Sequence, residues 1–169
     1  MILRLTAANL SSRTITPANL LGPRGEQQSR AAGLRPITIT VMGARELQLM
    51  RKVVMAFPGV TERQSHGAPC FFVSATRPVC YFHDNHRGDG RVSVWCPLPP
   101  GVAQELADAE PDRFFRPTPS AGGVFAQWVG LFIEARGGDE TDWGEIAALV
   151  EEAYRYVAPE YLIGELDGR

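Results

Sequence analysis

The sequence predicts an α+β fold, an antiparallel sheet with helices packed on one face. Three observations lead there. Short apolar runs with strand character follow one another across connections too brief to hold a crossover helix, which excludes a parallel βαβ sheet. Helical periodicity is confined to segments flanking those runs. Hydrophobic residues make up 44% of the 169 residues, enough for one core in a chain of single-domain length.

Residues 1–42 stand apart. They carry five arginines against Glu26 alone, a net charge of +4, whereas the remaining twelve basic and eighteen acidic residues give −6. The segment is rich in Ser, Thr, Asn, Gln, Gly and Pro and lacks sustained periodicity, so it reads as a flexible basic N-terminal extension to a domain spanning 43–169. Its acid-poor composition suits a transit-type segment or an upstream start before Met42, and Thr38 to Val41 suits an edge strand.

From Ala44 the elements follow in order. Leu47, Met50, Val53, Val54 and Phe57 keep helical spacing, and Pro58-Gly59 stops that helix. Strands are expected over Pro69 to Ser74, Pro78 to His83 and Arg91 to Cys96, with Asp84 to Gly90 as a hairpin loop. In the third strand Val92, Val94 and Cys96 share one face, with Ser93 and Trp95 on the other. Pro99-Pro100 opens a short helix with Val102, Leu106 and Ala109 inward, and Pro111 closes it. Phe125 to Glu134 reads as a strand ended by Gly137-Gly138. On it Trp128 shares a face with Phe132 and is expected to pack against the first or last helix. The last helix is capped by Asp142 with Glu145 three positions on, buries Ile146, Leu149, Val150, Ala153 and Val157, and ends at Pro159.

Signatures of catalysis are absent: there is no Walker loop, G-x-G-x-x-G, G-x-S-x-G or H-E-x-x-H. Cys70, Cys80 and Cys96 form no C-x-x-C and sit in apolar runs, as buried free thiols in a reducing cytosol do. His83 and His86 have metal-ligand spacing, but the intervening Asp-Asn and following Gly suit a solvated turn. No apolar run approaches the roughly 18–20 residues that cross a bilayer. The expectation is a cytoplasmic, monomeric, non-enzymatic protein with no cofactor, metal or membrane partner. His66, in the stretch Ser65-His66-Gly67, reads as a corner histidine bonding backbone, or as a contact to a ligand or partner.

Five segments in order carry a family resemblance. They are Met55-Ala56-Phe57-Pro58-Gly59-Val60-Thr61-Glu62; Ser65-His66-Gly67-Ala68-Pro69-Cys70-Phe71-Phe72-Val73; Leu98-Pro99-Pro100 through Leu106 to Glu110-Pro111-Asp112-Arg113-Phe114-Phe115-Arg116-Pro117; Gln127-Trp128-Val129; and Leu149 through Ala153-Tyr154-Arg155-Tyr156-Val157-Ala158-Pro159 to Leu162. Together they resemble the MmcQ/YjbR family of small bacterial proteins. Cys70 stands where a small residue is usual, Gln127 replaces Gly, and Ala75-Thr76-Arg77-Pro78 stands where relatives often carry Gly-Gly-Lys. The resemblance implies a CyaY-like or double-wing arrangement and a role as a DNA-binding domain. Candidate nucleic-acid contacts are Arg77, Arg87, Arg91, Arg113 and Arg116, which lie in a locally neutral stretch of an acidic domain. The alternative is a small-molecule (anionic ligand) or protein-binding module with a pocket around His66 and Trp128.

Overall fold

The computed structural model describes residues 43–118, 123, 125–133 and 141–169. The basic extension, the Thr38–Val41 strand expectation and Gly137-Gly138 lie outside the described residues. Helix α1 (Ala44–Val54) leads into β1 (Val60–Ser65), β2 (Ala68–Val73), β3 (Arg77–Asp84) and β4 (Val92–Pro97). Helix α2 (Val102–Ala109), the two-residue β5 (Phe114–Phe115) and β6 (Trp128–Phe132) follow. Helices α3 (Trp143–Val157) and α4 (Glu160–Asp167) close the chain. The six strands form one antiparallel sheet in the order β1-β2-β3-β4-β6-β5.

The expected α+β class is the one observed, with helices on one face. Met50 and Val54 of α1, Leu106 of α2, Ile146 and Leu149 of α3 and Leu162 of α4 bury against Phe71, Val73, Phe82, Val94 and Cys96 of the sheet. Asp142 caps α3 as expected, its Oδ1 accepting from the N–H groups of Gly144 and Glu145 at 2.9 and 3.1 Å. Tyr154 of α3 donates through its hydroxyl to the Pro58 carbonyl at 2.9 Å and stacks on Phe57, which fixes the turn that leaves α1.

The opposite face is where expectation and structure part. Trp128 packs against neither the first helix nor the last. It lies on the helix-free face with Cys70, Phe72, Tyr81 and Trp95, against Phe125. Strand alternation puts it there: Val129 and Leu131 take the helix side, so Trp128, Gly130 and Phe132 take the other. The strand is also shorter than expected, because Phe125 to Gln127 form a turn.

Two elements differ from simple alternation. In β3, Phe71 pairs with Cys80 and Phe72 with Pro78, so Val79 is an extra residue, a bulge that lets Val79 and Cys80 both join the helix-side core. At the far edge, Phe115 lies opposite Gly130 and covers it, while stacking on Phe132 with ring centroids 4.5 Å apart. Among the described residues no helix is long and apolar enough to cross a membrane.

Strand position Gly130 and the turn at Ala75 yield stability predictions. A Cβ on Gly130 would occupy the space of the Phe115 ring, which Trp95 and Phe132 hold in place. Gly130→Ala should therefore cost about 2–4 kcal/mol in denaturant unfolding, partly recovered by adding Phe115→Leu. In the β2–β3 loop, Ser74 and Ala75 adopt φ of 51° and 60°, a conformation that costs an alanine about 1–2 kcal/mol. Glycine removes that cost and gives back part of it as chain entropy, so Ala75→Gly should stabilise by about 0.5–1 kcal/mol.

Candidate functional site

In a meander of antiparallel strands, alternate turns emerge at the same end. The β1–β2 turn and the β3–β4 hairpin therefore lie together, and the N-terminus of α1 joins them. Between these three elements is a cleft of about 400 Å³, within the range of small-molecule sites. Leu47 reaches it from α1 and Gly43 from just before that helix, His66 from the β1–β2 turn and Pro69 from β2, and His83, Asp84, His86 and Arg87 from β3 and its hairpin.

His66 heads a two-residue hairpin loop, since Ser65 pairs with Ala68. His66 and Gly67 have φ of 52° and 80°, the two positive values that a type I′ loop requires. Asparagine is the low-cost residue at the first position, so this chain places an imidazole there at some strain. The ring is anchored: Nδ1 lies 3.1 Å from Ser65 Oγ and 3.3 Å from the Tyr81 hydroxyl, which is 2.9 Å from Ser65 Oγ. Burial raises the Tyr81 phenol above its ordinary value.

His83 and His86 form the second wall. The expectation of two solvated loop histidines fails for His83, which belongs to β3 and is buried. Its ring lies 4.0 Å from Trp95 and 4.6 Å from His86 by centroid, and stacks on Tyr81. Desolvation, then the neighbouring His86, push its pKa down to about 4, so it is neutral at pH 7. Asp84 is raised by burial first and then by Glu46 and Asp89. Its carboxylate sits against Gly43, where a Cβ would come within 2.9 Å of Cγ, and so faces the positive end of α1. No group of three His, Cys, Asp or Glu among the described residues is arranged to hold a metal.

The five arginines do not share one surface. Arg77 begins β3 and Arg87 follows its other end, roughly 25 Å of strand away. Arg77 donates to the Val157 carbonyl at 3.1 Å, at the C-terminus of α3. Arg91 lies over the Phe132 ring. Arg113 pairs with Glu110 and with the buried Glu145 of α3. Arg116 donates to Gln104 Oε1 at 2.7 Å and to the Ala126 carbonyl, across the sheet's far edge. Arg87 lines the cleft and has no hydrogen-bond or ion-pair partner among the described residues.

Of the proposed ligand pair, His66 lines the cleft. Trp128 does not; it is buried and reaches the site only through Tyr81, 5.6 Å away by centroid. Sequence reasoning passed over Ser65 and Tyr81. Strand alternation places Tyr81 on the face shared with Trp95, but its meeting with His66 depends on β1, a strand the polar segment VTERQS conceals.

The thiols are no part of the site. Cys70, Cys80 and Cys96 are free and buried, and burial pushes the Cys70 thiol up to about 12. A thiol held there supplies no thiolate nucleophile at neutral pH.

His83 makes the fold acid-sensitive. Its folded pKa is about 4 against 6.5 in the open chain, so the unfolded chain binds a proton that the folded one refuses. Stability is complete above the unfolded value and falls as the pH drops through 6.5 toward about 4. The loss should reach about 2–3 kcal/mol, discounted for the water that still reaches the ring. Unfolding free energies measured from pH 7 to 4 should show this slope, and His83→Phe, which keeps a stacked ring, should flatten it.

No curated protein and no solved structure matches the chain. The YjbR family model matches residues 55–156, from the end of α1 through the penultimate residue of α3, so that His66, the β3–β4 hairpin and all six strands fall within it, and the chain belongs to the YjbR family.

Proposed function

We propose that this YjbR domain is a binding module, not an enzyme, and that its cleft takes a small anionic ligand. The observation that carries the reading is Arg87, without a partner among the described residues, lining one cleft with His66 and His86. An unpaired guanidinium beside two imidazoles is a strong site for charge-assisted hydrogen bonds. Leu47 and Pro69 add apolar wall, the mixture that small-molecule sites use. The neutral His83 offers a hydrogen bond without charge. The high thiol pKa of Cys70 and the lack of a metal-type cluster among the described residues support binding over chemistry.

DNA binding is the second reading. What favours it is that Arg87 and Arg91 flank one hairpin. What weakens it is that Arg77, Arg113 and Arg116 make internal contacts at other edges of the fold. Two arginines give about two phosphate contacts, so log affinity would fall with log salt at a slope of only about −2.

A thermal-unfolding screen of the protein against small phosphates, sulfates and carboxylates separates the readings. A true ligand at a hundredfold excess over Kd should add about 2.7 kcal/mol, several degrees in Tm. The double variant Arg87→Ala, His66→Ala should lose that gain. If no small anion raises Tm while DNA binds with a salt slope near −2, the cleft reading is wrong and the hairpin reading replaces it.

A further inference from the structure

Buried polar side chains have hydrogen-bond partners as a rule, and each exception calls for an explanation. His83 is such an exception. It lines the cleft and is only 8% exposed. Its ring meets Tyr81, Trp95 and His86, yet neither ring nitrogen has a hydrogen-bond partner among the described residues. Neither nitrogen is sealed, because no unpartnered side-chain nitrogen or oxygen among the described residues is fully buried. The polar atoms of His83 therefore lie on the small part of the residue that stays open, and the cleft is the space that this part borders.

The other polar side chains of the cleft are unlike it. His66 has its Nδ1 engaged by Ser65 and Tyr81. Arg87 and Asp84 are exposed charges that water can satisfy. His83 carries no charge at pH 7, since burial first and then His86 disfavour its protonated form. A neutral imidazole has one N–H and one bare nitrogen, so a single ring offers a donor and an acceptor.

We propose that His83 is the specificity-determining residue of the cleft, and that the anion bound there also carries an uncharged hydroxyl that hydrogen-bonds the His83 imidazole. This rests on the small-anion reading above and adds the second half of the ligand. A further anionic group would find its partner at Arg87, and a cationic one at Asp84. What His83 adds to both is a neutral hydrogen-bonding group with Tyr81 and Trp95 at its sides, where a charge would lose its water. A hydroxyl both donates and accepts, so it fits whichever nitrogen it meets. Leu47, Pro69 and Phe82 supply apolar wall for the carbon atoms that join the two groups. A site with a buried polar group discriminates against the analogue that leaves this group unpaired, more sharply than an apolar wall discriminates by size.

The test is an NMR titration of the ¹⁵N-labelled full chain with three pairs of anions that differ by one hydroxyl: acetate and glycolate, propionate and 3-hydroxypropionate, ethyl phosphate and 2-hydroxyethyl phosphate. In at least one pair the hydroxylated member should bind about tenfold more tightly and shift a His83 imidazole nitrogen. The pair that does so identifies the charged group as carboxylate or phosphoryl. His83→Phe keeps a flat ring and removes both nitrogens, and should bring the members of that pair to within about twofold of each other. The wild-type comparison decides alone if this variant fails to fold. Equal binding within every pair, unmoved His83 nitrogens, or a preference that survives in His83→Phe overturns the proposal and leaves His83 bonded to water only. In each of these cases the small-anion reading stands as long as the Arg87 and His66 side-chain signals still respond. If none of the six anions moves any signal of the cleft, both fail.

Discussion

An antiparallel sheet with helices on one side has a second face to bury, and this fold fills it from its own aromatic side chains. Phe115 laid across Gly130 is the contact on which that solution depends. With no Cβ at position 130, the ring comes down onto the strand, meets Phe132 and stands edge-on to Trp95. Trp95 in turn touches His83, His86 and Phe125, and Phe125 closes over Tyr81 and Trp128. A chain of ring contacts thus runs from the β5 edge of the sheet to the hairpin histidines. The cleft is the polar end of an apolar cluster, and the same stack that buries the face holds His83 neutral and orients His86.

The consequence for the site is rigidity. His83 is held between Tyr81, Trp95 and His86, and Tyr81 is tied through its hydroxyl to Ser65 and His66. Both walls of the cleft therefore rest on one residue, Tyr81 of β3, although they come from different turns. Strain at His66, Asn85 and Arg87 is tolerable in such a frame, because flanking strand pairs and buried rings fix the loop ends.

Much of this fold was legible in the sequence where apolar period and turn chemistry agreed. Helix α3 announced itself through Asp142 and its buried stripe, and the faces of β4 through strict alternation. Strand β1 was not legible. Its residues VTERQS are polar because it is a sheet edge, and its charges are satisfied by neighbours: Glu62 by Arg51 at 2.7 Å, Arg63 by the Phe72 ring. Strand β5 is too short to carry a pattern, and α4 follows Pro159, where a helix was expected only to end. The bulge at Val79 breaks period two, so alternation alone misplaces one residue of β3. The candidate site was legible in part for the same reason. His66 and Arg87 were found by residue type, but their meeting at one cleft follows from the meander, and the meander needs β1.

Net charge is a poor guide to the field at any one cleft. The domain is acidic overall, which argues against anionic partners in general, yet acidity matters only where the carboxylates point. Glu145 and Glu110 are matched to Arg113, Glu151 and Asp167 to Arg155, and Glu165 to Arg169. Those pairs lie on or beside α3, α4 and the end of α2, and none of their residues lines the cleft. Near the cleft Asp84 sits against Gly43 and Asp89 accepts from the Arg91 amide, while Glu46 and Asp89 both raise the Asp84 carboxyl. A ligand entering there meets Arg87 before it meets the protein's average charge, because screening confines each surface charge to about 8 Å at physiological salt. Overall acidity therefore neither supplies nor forbids an anion site; on the reading proposed above, the balance is local, between Arg87 with the cleft histidines and Asp84, Asp89 and Glu46.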